Sequence, residues 1–148
     1  MKILLAYRGA SSHTEGVRLT KEYAKIFKAE VFIGTSLMFG DKDRPFALIS
    51  SGKDRPFAVV EKGDMSANIE SIEELFRSEE IPCKRIIFER LNPGIAIVKY
   101  AKDHEIDLII IGVRSRSRVG KMLLGSNAQY VLLNSHCPVL TYKEVKEV

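Results

Sequence analysis

Asp107-Leu108-Ile109-Ile110-Ile111-Gly112-Val113-Arg114-Ser115 decides the fold. Four successive aliphatic residues, with no polar residue alternating among them, predict a strand over 107–111 buried on both faces, as central strands of parallel sheets are. Ile3-Leu4-Leu5-Ala6-Tyr7 repeats that pattern near the N-terminus. Working outward, β-formers predict further strands over 31–37, 84–89 and 138–142. Between them, Val17, Thr20, Tyr23, Ala24 and Phe27 share one helical face, as do Met65, Ile69, Ile72, Leu75 and Phe76, and again Ile97, Val98 and Ala101. Ser12 and Glu15 have capping-box spacing, and Asn92-Pro93 joins an N-cap residue to proline at the first helical position. A last helix opens near Gly125-Ser126 after a loop over 112–124. Alternating strands and helices predict an α/β three-layer sandwich with a five-stranded parallel sheet and helices on both faces.

The 148 residues suit one domain over 1–148, and 45% hydrophobic with 28% charged residues is the composition of an ordinary globular chain. One segment interrupts the rhythm, at about 39–63. There Lys42-Asp43-Arg44-Pro45-Phe46-Ala47 recurs as Lys53-Asp54-Arg55-Pro56-Phe57-Ala58, each copy followed by β-prone residues, with Ser51-Gly52 suited to a turn between them. A two-stranded hairpin fits this pattern, serving as a passive insertion, a lid or a partner-binding arm. The N-terminus lacks the order of a signal peptide, and no apolar run nears the roughly 20 residues of a membrane span, so a cytoplasmic protein without membrane contact is expected. The net charge of +4 is mild. Arg114, Arg116, Arg118 and Lys121 lie close together, but no groove-entering motif or interleaved aromatic residues accompany them, so nucleic acid is not an expected partner. Cys83 and Cys137 have no neighbours at ligand spacing and read as small buried hydrophobes, and no metal site is expected.

Ligands of open parallel sheets bind beyond the carboxyl ends of the strands, where the strand order reverses. That rule singles out Arg8 and Gly9, Ser36 to Met38, and Gly112 to Ser115. Gly112 suits a tight turn. Gly125-Ser126-Asn127 combines free backbone N–H groups, a hydroxyl and the positive end of a helix dipole, which together suit phosphate oxygens. Each residue also has an ordinary reading: the glycines for turns, Ser126 as a helix N-cap, Ala6 and Ile111 as core.

Gly112-Val113-Arg114-Ser115, nine further residues, Gly125-Ser126 and then Pro138-Val139-Leu140 resemble the signature of the universal stress protein family. The resemblance covers nearly the whole chain. It implies an adenine nucleotide alpha hydrolase-like fold and a small stress-response protein that binds ATP or AMP in a sensory or regulatory role, the part of Mg with ATP being undetermined. It also implies a homodimer through the C-terminal strand. The phosphate-side positions it implies are Gly112, Arg114, Ser115, Gly125, Ser126 and Asn127, and the base-side positions Ala6, Arg8, Ser36 and Ile111. Two departures bear on the ligand. Ser115 replaces the second signature glycine, adding a Cβ that costs roughly 1 kcal/mol if the backbone needs positive φ. Arg8 stands where nucleotide-binding relatives have an acidic residue, and a guanidinium cannot accept from ribose hydroxyls. A dimeric interaction module without nucleotide is therefore the alternative. His13, His104 and His136 form no triad spacing, so no catalytic residue is assigned and weak ATP hydrolysis is the most that enzyme chemistry would amount to.

Overall fold

A computed structural model describes residues 1–7, 15–36, 47–49, 59–61, 64–88, 92–113 and 125–143. Along the chain these form β1 (Lys2–Ala6), α1 (Glu15–Phe27), β2 (Glu30–Ser36), β3 (Ala47–Ile49), β4 (Val59–Glu61), α2 (Asp64–Ser78), β5 (Cys83–Phe88), α3 (Pro93–Asp103), β6 (Leu108–Val113), α4 (Ser126–Asn134) and β7 (Val139–Lys143). Five strands make one parallel sheet in the order β5-β2-β1-β6-β7. The chain thus builds outward from β1 in one direction and then, from β6, in the other. β3 and β4 pair antiparallel, with Leu48 opposite Val60, as the repeat's β-prone tails suggest.

Because successive strand residues face opposite ways, the two aliphatic runs split between two cores. Ile3, Leu5, Val31, Ile33, Leu108 and Ile110 pack with Val17 and Ala24 of α1 and Ile69, Ile72 and Phe76 of α2. Leu4, Phe32, Phe88, Ile109 and Ile111 pack with Ala96, Ile97, Tyr100 and Ala101 of α3 and Ala128 and Val131 of α4. The layers are therefore α1 and α2, the sheet, and α3 and α4. Residues buried on both faces of the sheet explain why its strands read as unbroken apolar runs. Thr20, the polar member of the α1 stripe, is buried with its hydroxyl donating to the Gly16 carbonyl at 2.6 Å.

Three local expectations change. β6 continues to Val113, so Gly112 lies inside the strand opposite Tyr142 rather than opening the loop. The apolar run ended the sequence reading at Ile111, yet pairing with β7 carries the ladder two residues further and buries Val113. Phe27 is 49% exposed, stacked on Tyr23 with ring centroids 6.0 Å apart, because it falls in the last turn of α1 just before Lys28 reverses the chain at φ 50°. Cys83 and Cys137 are half-buried free thiols in opposite layers, and burial pushes the Cys83 thiol up. Among the described residues no helix is long and apolar enough to cross a membrane.

Candidate functional site

The strand order reverses between β1 and β6, and their ladder ends with Ala6 opposite Ile111. Both face the α3 and α4 layer, Ile111 buried and Ala6 half-buried. These two residues of the predicted base-side set are therefore adjacent at the switch point. Ser36 closes β2 opposite Phe88, on the far side of β2 from β1, and its side chain lies outside the described residues. Tyr7 follows β1, with its N–H on the Gly34 carbonyl at 2.8 Å and its ring in the opposite core, where burial pushes the phenol up to about 12. It therefore adds no negative charge at neutral pH.

Crossover helices run back along the sheet, so α3 and α4 present their N-termini at this same edge. The first α3 turn is finished by protein. Asn92 caps it with φ −53° and ψ 130°, its Oδ1 accepting from Gly94 N–H at 3.0 Å, and Pro93 occupies the first helical position, where no N–H is needed. The same Gly94 N–H lies 3.1 Å from Oδ1 of Asn127, in the first turn of α4. Gly94 is buried, and a Cβ there would lie 3.1 Å from Tyr130 Cβ and 3.2 Å from the Asn127 carbonyl oxygen. The two helix starts therefore meet backbone to backbone at one corner.

The first α4 turn differs. Its N-cap is Gly125, with φ −58° and ψ 153°, which has no side chain to supply a capping bond. The backbone is conventional at that position, so glycine is not required there by dihedral angle. Nor do the described residues require it by packing, since among them a Cβ on Gly125 would meet nothing within 4 Å. Ser126, expected as the cap in the ordinary reading, is instead the first helical residue, and both it and Gly125 are exposed. An α-helix cannot satisfy its own first N–H groups, and these carry the positive end of the dipole. No acidic residue stands in the first turn of either helix. Chemically the described residues of the corner offer amide donors and positive potential.

Of the predicted phosphate-side residues, Gly125, Ser126 and Asn127 come together here, while Gly112 sits one residue before the end of β6. Arg8, Gly9, Ser12, His13, Arg114, Ser115, Arg116, Arg118, Lys121 and both KDRPF copies lie outside the described residues. Sequence reasoning missed the contribution of Gly94 to the corner. Asn92-Pro93 announced the helix, but nothing local ties position 94 to position 127. Among the described residues, no group of three or more His, Cys, Asp or Glu could hold a metal ion. His104 caps the opposite end of α3, stacked on Tyr100 at 3.9 Å.

A five-stranded parallel sheet in this order, with two helices on each face and its strand order reversing between β1 and β6, is the adenine nucleotide alpha hydrolase-like fold. Within that class the chain belongs to the universal stress protein family, whose family model matches residues 1–143. A universal stress protein of Methanocaldococcus jannaschii is 25% identical over 146 residues, covering 99% of this chain and 84% of that protein. Among solved structures, a universal stress protein in complex with cAMP matches with a TM-score of 0.68 at 17% identity, over 98% of each chain. One from Archaeoglobus fulgidus in complex with dAMP matches with a TM-score of 0.58 at 20% identity, over 95% of this chain and 96% of that one.

Proposed function

We propose that this protein binds an adenine nucleotide, ATP or AMP, in a sensory or regulatory role, with the phosphates at the first turn of α4 and the nucleoside toward Ala6 and Ile111. The observation that carries the reading is the exposed start of α4: a glycine cap that neither its dihedral angles nor packing among the described residues demands, at the edge of the sheet where its strand order reverses. The cAMP and dAMP complexes of proteins with the same fold support it. Gly112, Ser126 and Asn127 belong to the phosphate side of this reading, as do Arg114 and Ser115, and Arg8 and Ser36 to the nucleoside side. The ligand acts by differential affinity for two states of the protein, since equal affinity would shift nothing. Hydrolysis forms no part of the proposal, and the compartment it assumes is the cytoplasm. Equilibrium dialysis with ATP, AMP and cyclic AMP tests it. Saturable uptake of one of them is expected, and no uptake of any at millimolar ligand defeats it.

A second reading, a dimeric interaction module, has its own observation. α4 buries Ala128 and Val131 but leaves Leu133 78% exposed and Leu132 40% exposed. The neighbouring edge strand β7 keeps Val139, Leu140 and Tyr142 only half-buried. Half-buried apolar residues on the edge strand of the described sheet favour pairing with a second copy, so a homodimer through β7 is compatible with either function. Sedimentation as a monomer at micromolar concentration would exclude it.

A further inference from the structure

The segment between β2 and α2 is a tandem repeat whose two copies pair with each other. Residues 42–52 and 53–63 follow one another without a gap, and both read Lys-Asp-Arg-Pro-Phe-Ala, four further residues and Gly. Each residue of the first copy therefore has its equivalent eleven positions on, so that Leu48 and Ile49 of β3 correspond to Val59 and Val60 of β4. The antiparallel ladder sets Leu48 opposite Val60 and Ile49 opposite Val59. Exchanging the two copies turns the first of these pairs into the second, and the second into the first. The copies thus meet through the same stretch of each, related by a local two-fold axis.

That is an isologous contact, in which a surface is its own complement. Nothing in such a ladder depends on both strands belonging to one chain. What joins them is the connector over 50–58, which holds one copy at a raised local concentration beside the other. Among the described residues β3 and β4 pair only with one another, and two strands this short are marginal in water. Their pairing therefore rests on that local concentration.

We infer that the duplicated segment is a self-recognition element, each copy being the partner of the other, and that the intermolecular partner it fits is a second copy of this chain. In the intact chain the two copies occupy one another. A chain in which one copy cannot pair leaves the other open, and it takes a copy from another molecule. Intact chains make the same pairs between molecules only as the protein concentration approaches the local one, on the order of millimolar for a short connector. The contact is separate from β7, which edges the other sheet, and does not depend on the nucleotide reading.

The test titrates full-length protein with a fluorescent peptide of residues 42–52, read by anisotropy. Val59→Pro with Val60→Pro removes two ladder N–H groups from the second copy and leaves the first open. This variant is expected to bind the peptide with a Kd of about 1 mM or below, because the same pair forms in the intact chain at a local concentration of that order. The unsubstituted chain, whose copies occupy one another, is expected to bind at least about tenfold more weakly. A second variant lacking 53–63 altogether should match the proline variant, since both leave one copy open. A peptide carrying Leu48→Pro and Ile49→Pro should lose the binding. Equal affinity of the unsubstituted and proline chains overturns the inference, as does no binding by either variant at several millimolar peptide. So does undiminished binding of the proline peptide.

Discussion

The starts of α3 and α4 lie side by side at one edge of one layer, carry the same dipole and both lack acidic residues, yet they are finished in opposite ways. α3 is closed: a capping asparagine, a proline, and a buried glycine whose N–H has two oxygen acceptors within 3.1 Å. α4 is open among the described residues: an exposed glycine cap with no side chain of its own, and none of those residues within 4 Å of where a Cβ would stand. Two helices with the same need and different completions separate what folding requires from what it leaves available. A helix end finished by protein belongs to the fold. An exposed one that a serine or aspartate would have improved is the better candidate for a ligand.

The contrast breaks first at the glycines. Gly94→Ala forces a methyl group against Tyr130 and the α4 backbone and is expected to cost about 1–3 kcal/mol, read from the shift of a urea unfolding midpoint. Gly125→Ala, with no described residue to strike, should cost less than about 1 kcal/mol. Equal costs would erase the distinction between a packed and an open glycine. Next comes the cap itself. Asn92→Ala removes the bond to Gly94 N–H and should destabilise by about 1 kcal/mol, a fall of about 2–4 °C in thermal midpoint. Because Asn127 still reaches the same N–H, a loss near zero would show that one acceptor suffices. The smallest effect is the most telling in sign. Gly125→Ser supplies the missing cap and should raise stability by roughly 0.3 kcal/mol, visible as a small upward shift of the midpoint. A fall would mean that the α4 start is already satisfied.

The frame of the molecule was legible because burial on both faces forces central strands into unbroken apolar runs. Leu108 to Ile111 and Ile3 to Tyr7 announced the two strands between which the order reverses, while Ala6 and Ile111, grouped in the sequence only by the family resemblance, are paired by the ladder. The start of α4 was legible as a segment at Gly125-Ser126-Asn127, since glycine and small polar residues before an apolar stripe mark a helix start. What could not be read was any feature depending on distant residues. The end of β6 at Val113 is set by pairing with β7, not by local hydrophobicity. The cap falls to Gly125 although Ser126 is the stronger capping residue by type. The Gly94–Asn127 contact joins residues 33 positions apart, and no periodicity encodes it.

The central claim is that phosphate oxygens occupy the open start of α4, and comparing ATP with adenosine by calorimetric titration measures that most directly. The account expects ATP to bind at least about tenfold more tightly than adenosine, an advantage that disappears in Gly125→Asp, where a carboxylate competes for the same amides. Equal affinity for the two ligands, or a phosphate advantage that survives Gly125→Asp unchanged, would contradict it.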